Sequence, residues 1–211
     1  MNIEYIESPV PHVIVRNVFN EIDLVNVWKE LEFLTHPDKL LPPTASRSAV
    51  SNGKILKNNH GVFLQHIYGT PEISDIYRAI KNVFTKKFFE DLASKHIIFE
   101  WIKQLNNESI LVSYYEDNDS YLPHKDNSVY TVLVNLYKEP KAFTGGDLTL
   151  GNAGYKIPLE NNRMIIFPSW ALHGVTPVKF IGAQPKFSGW GRYTISDFLY
   201  IHNIEPGDAV R

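Results

Sequence analysis

The sequence predicts a mainly β fold with flanking α-helices, closed as a sandwich or barrel. Three observations predict it. Apolar stripes at helical spacing occupy the first half of the chain. From Ile110 onward the apolar runs become short and rich in strand formers. Paired turn residues, Gly145-Gly146, Gly151-Asn152 and Asn161-Asn162, punctuate those runs.

Taken in order, Val13-Ile-Val15 is a short strand. Asp23 can cap a helix running to about Leu34, with Leu24, Val27, Trp28 and Leu31 on its core face. Residues 35–60 read as a loop, broken by Pro37, Pro42, Pro43 and Gly53, with Lys39, Arg47, Lys54 and Lys57 set against one acid, Asp38. Such a loop is either solvated surface or a flap over an active site. Val62 to Tyr68 reads as a strand. Thr70-Pro71 then offers a cap followed by proline at the first helical position. Ile73, Ile76, Tyr77, Ile80, Phe84, Phe88 and Leu92 form the stripe of one long helix, packed across a sheet. The strand-rich half follows as the runs 110–115, 129–137, 147–150, 155–159, 163–167, 174–178 and 192–200.

At 211 residues the chain is one domain, 1–211, with 1–108 as helical and loop support and 109–200 as the core. Apolar residues make up 44% and charged residues 21%, enough for a sizeable core. A net charge of −2 argues against stable nucleic-acid binding. The absence of cysteine excludes disulfides, zinc–thiolate sites and thiol catalysis. Met1 to Pro9 has neither a basic nor a long apolar region, so no signal peptide is expected. No apolar run approaches the ~18 residues of a membrane span. The expected compartment is the cytoplasm, without a membrane partner.

The chemistry concentrates in His124-Lys125-Asp126 and His173. Two imidazoles and one carboxylate are the ligand set of a mononuclear non-haem iron(II) oxygenase, which leaves positions open for a co-substrate and O2. On a strand, His124 and Asp126 would share one face and Lys125 would point away. His173 follows the apolar run Met164-Ile-Ile-Phe167 and a bend at Pro168-Ser169. Read singly, each residue also fits a bland role: a chance His-x-Asp, or a hydrogen-bonded loop histidine. Arg192 enters an apolar strand, where its guanidinium needs a carboxylate, either a structural partner or a bound one. Tyr114 alone would be an aromatic core residue.

Together these residues resemble the catalytic core of the Fe(II)/2-oxoglutarate-dependent dioxygenases, and most of all the prolyl-4-hydroxylase-like branch. The resemblance covers about 109–200. It is carried by Val112-Ser-Tyr-Tyr115, Tyr121-Leu-Pro-His-Lys-Asp-Asn127, Thr144-Gly-Gly-Asp-Leu-Thr-Leu150, Ile165-Ile-Phe-Pro168, Leu172-His-Gly-Val-Thr-Pro-Val178 and Arg192-Tyr-Thr-Ile-Ser196, in family order. It implies a double-stranded β-helix, or jelly roll, over the strand-rich half. It implies Fe(II) on His124, Asp126 and His173, and 2-oxoglutarate and O2 as co-substrates, with ascorbate as a reductant. Arg192 would hold the distal carboxylate of 2-oxoglutarate, and Tyr114, Asn135 and Ser196 would complete its contacts. Two features depart from the family. The interval from His173 to Arg192 is longer than usual, and Asn135 stands where some relatives carry a tyrosine. Asp126 occupies the position that halogenating relatives leave without a carboxylate, so hydroxylation is expected.

The substrate that the resemblance favours is a peptidyl proline. A free amino acid or other small metabolite is the alternative. A zinc hydrolase could use the same three ligands, but it would leave Arg192 unexplained, and His-Glu-x-x-His is absent. A jelly-roll binding module without catalysis remains a third reading. The segment 179–191, with Phe180, Phe187 and Trp190, is expected at the pocket mouth, where it would help select the substrate.

Overall fold

The computed structural model describes residues 2–202. The supporting half begins with a hairpin of β1 (Asn2–Ile6) and β2 (His12–Arg16), followed by α1 (Glu21–Leu34). A tiny hairpin, β3 (Val50–Ser51) and β4 (Lys54–Ile55), interrupts the long loop. Then come β5 (His60–Phe63), α2 (Leu64–Ile67), α3 (Asp75–Val83), α4 (Lys86–Ala93) and a 3-10 helix at Ile97–Gln104. The second half is all strand: β6 (Asn107–Tyr115), β7 (Tyr121–His124), β8 (Tyr130–Leu136), β9 (Phe143–Gly145), β10 (Leu148–Leu150), β11 (Tyr155–Ile157), β12 (Arg163–Pro168), β13 (His173–Val175), β14 (Val178–Phe180) and β15 (Arg192–Tyr200).

One sheet runs β1-β2-β12-β8-β15-β6-β5, and a second runs β11-β10-β13-β7. A small pair, β14-β9, closes one end. Every pairing in these sheets is antiparallel. The chain visits the layers in turn: β6, β8, β12 and β15 lie in the large sheet, while β7, β10 and β13 lie in the small one. That alternation makes the jelly roll expected from the resemblance.

Strand alternation sorts the large sheet's side chains. Ile110, Val112 and Tyr114 of β6, with Tyr193, Ile195 and Leu199 of β15, join the core beneath the helices. Leu133, Ile165 and Phe167 face the other way and pack with Leu148 and Leu150 of the small sheet. The helices close over the outer face. Glu30 of α1 is buried, and its carboxylate accepts the Ile76 N–H at 2.7 Å, in the first turn of α3. A carboxylate there satisfies an orphan donor and meets the positive end of the helix dipole.

Several elements differ from the sequence reading. The stripe from Ile73 to Leu92 is not one helix. Ser74 and Thr85 each turn their hydroxyl onto a backbone N–H, of Tyr77 at 3.0 Å and Phe88 at 3.2 Å, and so start α3 and α4 separately. Thr70 makes no cap hydrogen bond, and Pro71 opens only a three-residue 3-10 turn. The strand from Val62 stops at Phe63 and turns into α2. The cap of α1 is Asn20, whose side chain accepts from the Asp23 N–H at 2.9 Å, rather than Asp23 itself. Trp28 packs edge-on against Tyr193 at the margin of the core.

Candidate metal and co-substrate site

His124 ends β7 and His173 begins β13, and the two are direct partners across the antiparallel pair. The pairing sets their rings side by side, centroids 4.3 Å apart. Each ring turns Nδ1 toward a backbone carbonyl two residues back, Leu122 for His124 and Ala171 for His173, both at 2.9 Å. With the proton on Nδ1, both Nε2 atoms carry bare lone pairs toward the same point. Asp126 supplies the third donor. Its Oδ1 lies 3.5 Å from His124 Nε2 and its Oδ2 lies 3.2 Å from His173 Nε2. Two donors about 2.1 Å from one ion at a right angle stand roughly 3 Å apart, so these spacings suit adjacent corners of an octahedron.

The expectation that one strand carries both His124 and Asp126 is corrected. β7 ends at His124, and Asp126 sits beyond it. Asp126 is fixed instead by its N–H, which donates to Ser169 O at 3.0 Å, and by Thr131, whose hydroxyl donates to Oδ2 at 2.6 Å. Lys125, between the two ligands, is exposed and contributes to the cavity lining beside the cluster. Burial, and then the neighbouring His173, push the His124 imidazole down to about 4. Burial opposes ionisation of Asp126, but its contacts with His173, His124 and Thr131 outweigh burial and hold the carboxyl below its usual range. A neutral imidazole and a carboxylate are the forms a divalent ion takes.

The cluster opens on a cavity of about 290 Å³. Arg192 lines it, fully buried, with its guanidinium carbon 4.7 Å over the Tyr115 ring. Nη2 donates to Asn135 Oδ1 at 2.8 Å and Nη1 to the Thr194 hydroxyl, while Nε has no partner. Both partners are neutral. Among the described residues no carboxylate forms an ion pair with Arg192, so the structural salt bridge is absent. A buried cation without an ion pair is costly, and an anion in the cavity would offset that cost. Gly146 makes room for it: its φ is +73°, and a Cβ there would come within 2.8 Å of Arg192 Cδ.

Of the other expected co-substrate residues, Ser196 lines the cavity and Asn135 acts on Arg192. Tyr114 is misplaced by one residue. It faces the helices, and its hydroxyl accepts the N–H groups of Gly189 at 3.1 Å and Gly191 at 3.0 Å. Tyr115, directly opposite Arg192 across the β6–β15 pair, faces the cavity. The alternation of Ser109 and Ser113 with Ile110 and Val112 was the signal, since Tyr115 shares the serines' face. Tyr121 was also missed. It stacks on His124 at 3.7 Å and 16°, and its hydroxyl accepts the Ala49 N–H at 2.8 Å.

Of the two loops expected near the site, only 35–60 reaches it. Arg47, Ser48 and Ala49 of the 35–60 loop line the cavity, whereas no residue of 179–191 does. Phe187 packs on His60 and Tyr114, outside the roll. The long interval before Arg192 thus braces the outer face, and its glycines supply the N–H groups held by Tyr114.

The sequence model of the 2OG-Fe(II) oxygenase superfamily matches residues 110–200. No curated protein sequence matches the chain. Among solved structures, the fold is similar to a Pseudomonas putida prolyl-4-hydroxylase, with a TM-score of 0.59 at 14% identity over 93% of this chain and 95% of that one. A Burkholderia pseudomallei oxidoreductase of the 2OG-Fe(II) oxygenase family gives 0.56 at 13% identity, over 91% and 86%. A viral collagen prolyl hydroxylase from Paramecium bursaria Chlorella virus-1, solved with 2OG, gives 0.50 at 16% identity, over 89% and 94%. At such identities the solved structures speak for the fold, whereas the sequence match covers the stretch that holds all three metal donors and Arg192. Residues 110–200 of this chain match the 2OG-Fe(II) oxygenase superfamily, whose enzymes use Fe(II), 2-oxoglutarate and O2, and the fold around them is shared with solved members of that superfamily.

Proposed function

We propose that this enzyme hydroxylates an unactivated C–H bond of a prolyl residue in a peptide, in the balanced reaction R–H + O2 + 2-oxoglutarate → R–OH + succinate + CO2. The observation that carries the co-substrate is Arg192, a fully buried guanidinium with neutral partners at the end of the cavity. Bound iron would supply the redox chemistry that O2, a triplet, needs to react with a closed-shell substrate.

The chain's own residues do the rest. His124, Asp126 and His173 would hold the metal, and the carbonyls of Leu122 and Ala171 keep each imidazole in the ligating tautomer. Arg192 binds the distal carboxylate of 2-oxoglutarate, Asn135 and Thr194 aim the guanidinium, and Tyr115 forms the floor beneath it. Such a fork selects a dicarboxylate long enough to span from Arg192 to the metal. The apolar layer of Leu133, Ile165 and Phe167 keeps water from the inner side. Support for proline comes from the motif resemblance and from the fold shared with prolyl hydroxylases.

The test is incubation of the protein with Fe(II), 2-oxoglutarate, O2 and a library of proline-containing peptides. Succinate release and a one-oxygen mass gain on proline are expected. Oxygenation confined to non-prolyl compounds would reject the substrate, and absence of any 2-oxoglutarate turnover would reject the oxygenase reading.

A further inference from the structure

The cavity is longer than the co-substrate site, and β15 measures it. Arg192 and Thr194 mark one end. Thr131, which holds Asp126, pairs with Phe198, and Leu133 pairs with Ser196, so the metal cluster lies far along the strand from Arg192. Four residues of strand, from Arg192 to Ser196, span about 13 Å. The wall then continues beyond the Thr131–Phe198 pair to Tyr200, with Ser109 opposite Phe198 on the other side. 2-Oxoglutarate would fill the Arg192 end. The Tyr200 end is left for the prime substrate.

Charge on this wall is one-sided. The cavity's charged residues are Arg47, Lys125, Asp126 and Arg192. Asp126 serves the metal and Arg192 the co-substrate. The two that remain, Arg47 and Lys125, are both cations, and among the described residues neither forms an ion pair. Arg47 is exposed at the cavity mouth, with its guanidinium carbon 5.3 Å from the Phe63 ring centroid. A cation stacked on an aromatic face keeps its outward N–H groups free for a second partner. Tyr200 reports the neighbourhood. Burial raises its hydroxyl, the Asp126 charge raises it further, and Arg47 lowers it.

We propose that the prime substrate carries a carboxylate near the hydroxylated carbon, and that Arg47, assisted by Lys125, binds it at the Tyr200 end of the cavity. The inference rests on the oxygenase reading above and narrows its substrate to an acidic compound. An acidic side chain beside the reacting residue and the α-carboxylate of a free amino acid present the same chemistry. The test therefore separates them.

Cell extract is divided, and one half has its carboxylates converted to amides. Each half is incubated with enzyme, Fe(II), 2-oxoglutarate and O2, and one-oxygen products are counted by mass spectrometry. In parallel, kcat/KM is measured for two matched pairs: a capped proline peptide with a flanking Glu against the same peptide with Gln, and L-proline against L-prolinamide. The untreated extract should give at least tenfold more product than the amidated one, and the pair that responds names the source of the carboxylate. Arg47→Gln should bring the acid-to-amide ratio close to one, Arg47→Lys should restore most of it, and Arg47→Glu should favour the neutral member. Equal product from both halves, or a ratio unmoved in Arg47→Gln, would overturn the proposal. So would an absence of oxygenated product from the untreated extract while 2-oxoglutarate is still turned over, and that outcome leaves the oxygenase reading standing. Loss of all 2-oxoglutarate turnover in the unaltered protein strikes the oxygenase reading itself.

Discussion

The two faces of β15 are equally buried and do opposite things. Tyr193, Ile195 and Leu199 face the helices and join a continuous apolar core. Arg192, Thr194 and Ser196 face the other way and are also buried, yet they line a cavity. Burial alone therefore does not separate packing from function here. What separates them is what each face meets. The outer face packs against the helices, with one buried polar group, Asp197, whose carboxyl oxygens also lack hydrogen-bond partners, whereas the inner face opens on a cavity and ends in a guanidinium whose Nε has no partner and which forms no ion pair among the described residues. A strand delivers both faces from one stretch of sequence because its side chains alternate.

The sharpest way to break this contrast is at the metal cluster, where the effect should be largest. Asp126→Ala or His173→Ala should weaken Mn(II) binding, measured by calorimetry without O2, by roughly a hundredfold or more. Changing outer-sphere partners alone costs about 10- to 100-fold. Turnover should vanish while the circular dichroism spectrum is retained. Full Mn(II) affinity in either variant would remove the triad from the mechanism.

Next come Ile195 and Arg192, three residues apart on opposite faces. Ile195→Ala removes a fully buried side chain from the helix-side core and should cost about 2–5 kcal/mol of stability. Its effect on 2-oxoglutarate affinity should be small. Arg192→Met should do the reverse. It loses a charge-assisted contact of about 2–4 kcal/mol to the bound carboxylate. It should change the stability of the ligand-free protein by less than about 1 kcal/mol, since it also relieves an unpaired buried charge. Denaturant titration and 2-oxoglutarate binding, run on both variants, decide it. A large stability loss in Arg192→Met would make that arginine structural.

Lys57 sharpens the point, being another buried cation without an acid. It does not line the cavity; its ammonium donates to Ser46 O at 3.0 Å and lies 5.9 Å from the Tyr121 ring centroid. Burial pushes it down to about 8. The unfolded chain titrates near 10.4, so between about pH 8 and 10 it binds a proton that the folded protein releases. The Lys57 contribution to stability should therefore improve as pH rises through that window, by up to about 3 kcal/mol, and be flat below it. Thermal melts from pH 7 to 10 should show this slope for the parent protein relative to Lys57→Met. Parallel curves would mean that Lys57 stays charged. An arginine keeps its charge at such a site, which is why Arg192 can serve an anion and Lys57 holds a loop.

The sequence made the site more legible than its surroundings. His124, Asp126, His173 and Arg192 stand in short motifs whose chemistry is restrictive, and the structure brings them to one cavity. Most strand runs of the second half also match, because turn pairs such as Gly151-Asn152 and Asn161-Asn162 mark their ends, but 174–178 is split between β13 and β14, and β9 was not among the runs. The helices were less legible. The apolar stripe from Ile73 to Leu92 carries no mark of its break except Ser74 and Thr85, and a hydroxyl can sit within a helix or cap a new one. The 35–60 and 179–191 loops could not be assigned to a side of the roll, because both are turn-rich and both carry cations and aromatics. Which wall they cover depends on pairings such as His60 with Tyr114, remote in sequence.

The smallest expected effect comes from Tyr114 and Tyr115, where a one-residue slip exchanges core for site. Each loses only a hydroxyl when changed to phenylalanine. Tyr114→Phe strands two backbone donors, the part-buried N–H of Gly189 and the buried N–H of Gly191, which lie at 3.1 and 3.0 Å from its oxygen. Leaving a buried donor unpaired costs about 1–3 kcal/mol, so this variant should be destabilised by that order. The loosened 187–191 segment leads directly into Arg192, so a slight loss of 2-oxoglutarate affinity, under about threefold, is also expected. Tyr115→Phe keeps the ring beneath Arg192 and strands no backbone donor; its hydroxyl interacts with the Arg192 guanidinium, which keeps its contacts with Asn135 and Thr194. Its stability should change by less than about 0.5 kcal/mol, the range of substitutions without such a mechanism. Its 2-oxoglutarate affinity should fall several-fold, by about 1 kcal/mol, if the phenol shares in binding the co-substrate. Urea denaturation and 2-oxoglutarate titration on the two variants give a crossed result: stability lost in one, affinity in the other. If Tyr114→Phe loses the affinity and Tyr115→Phe the stability, the register of β6 against the cavity is shifted by one residue, and the division of the sheet into a packing face and a binding face falls with it.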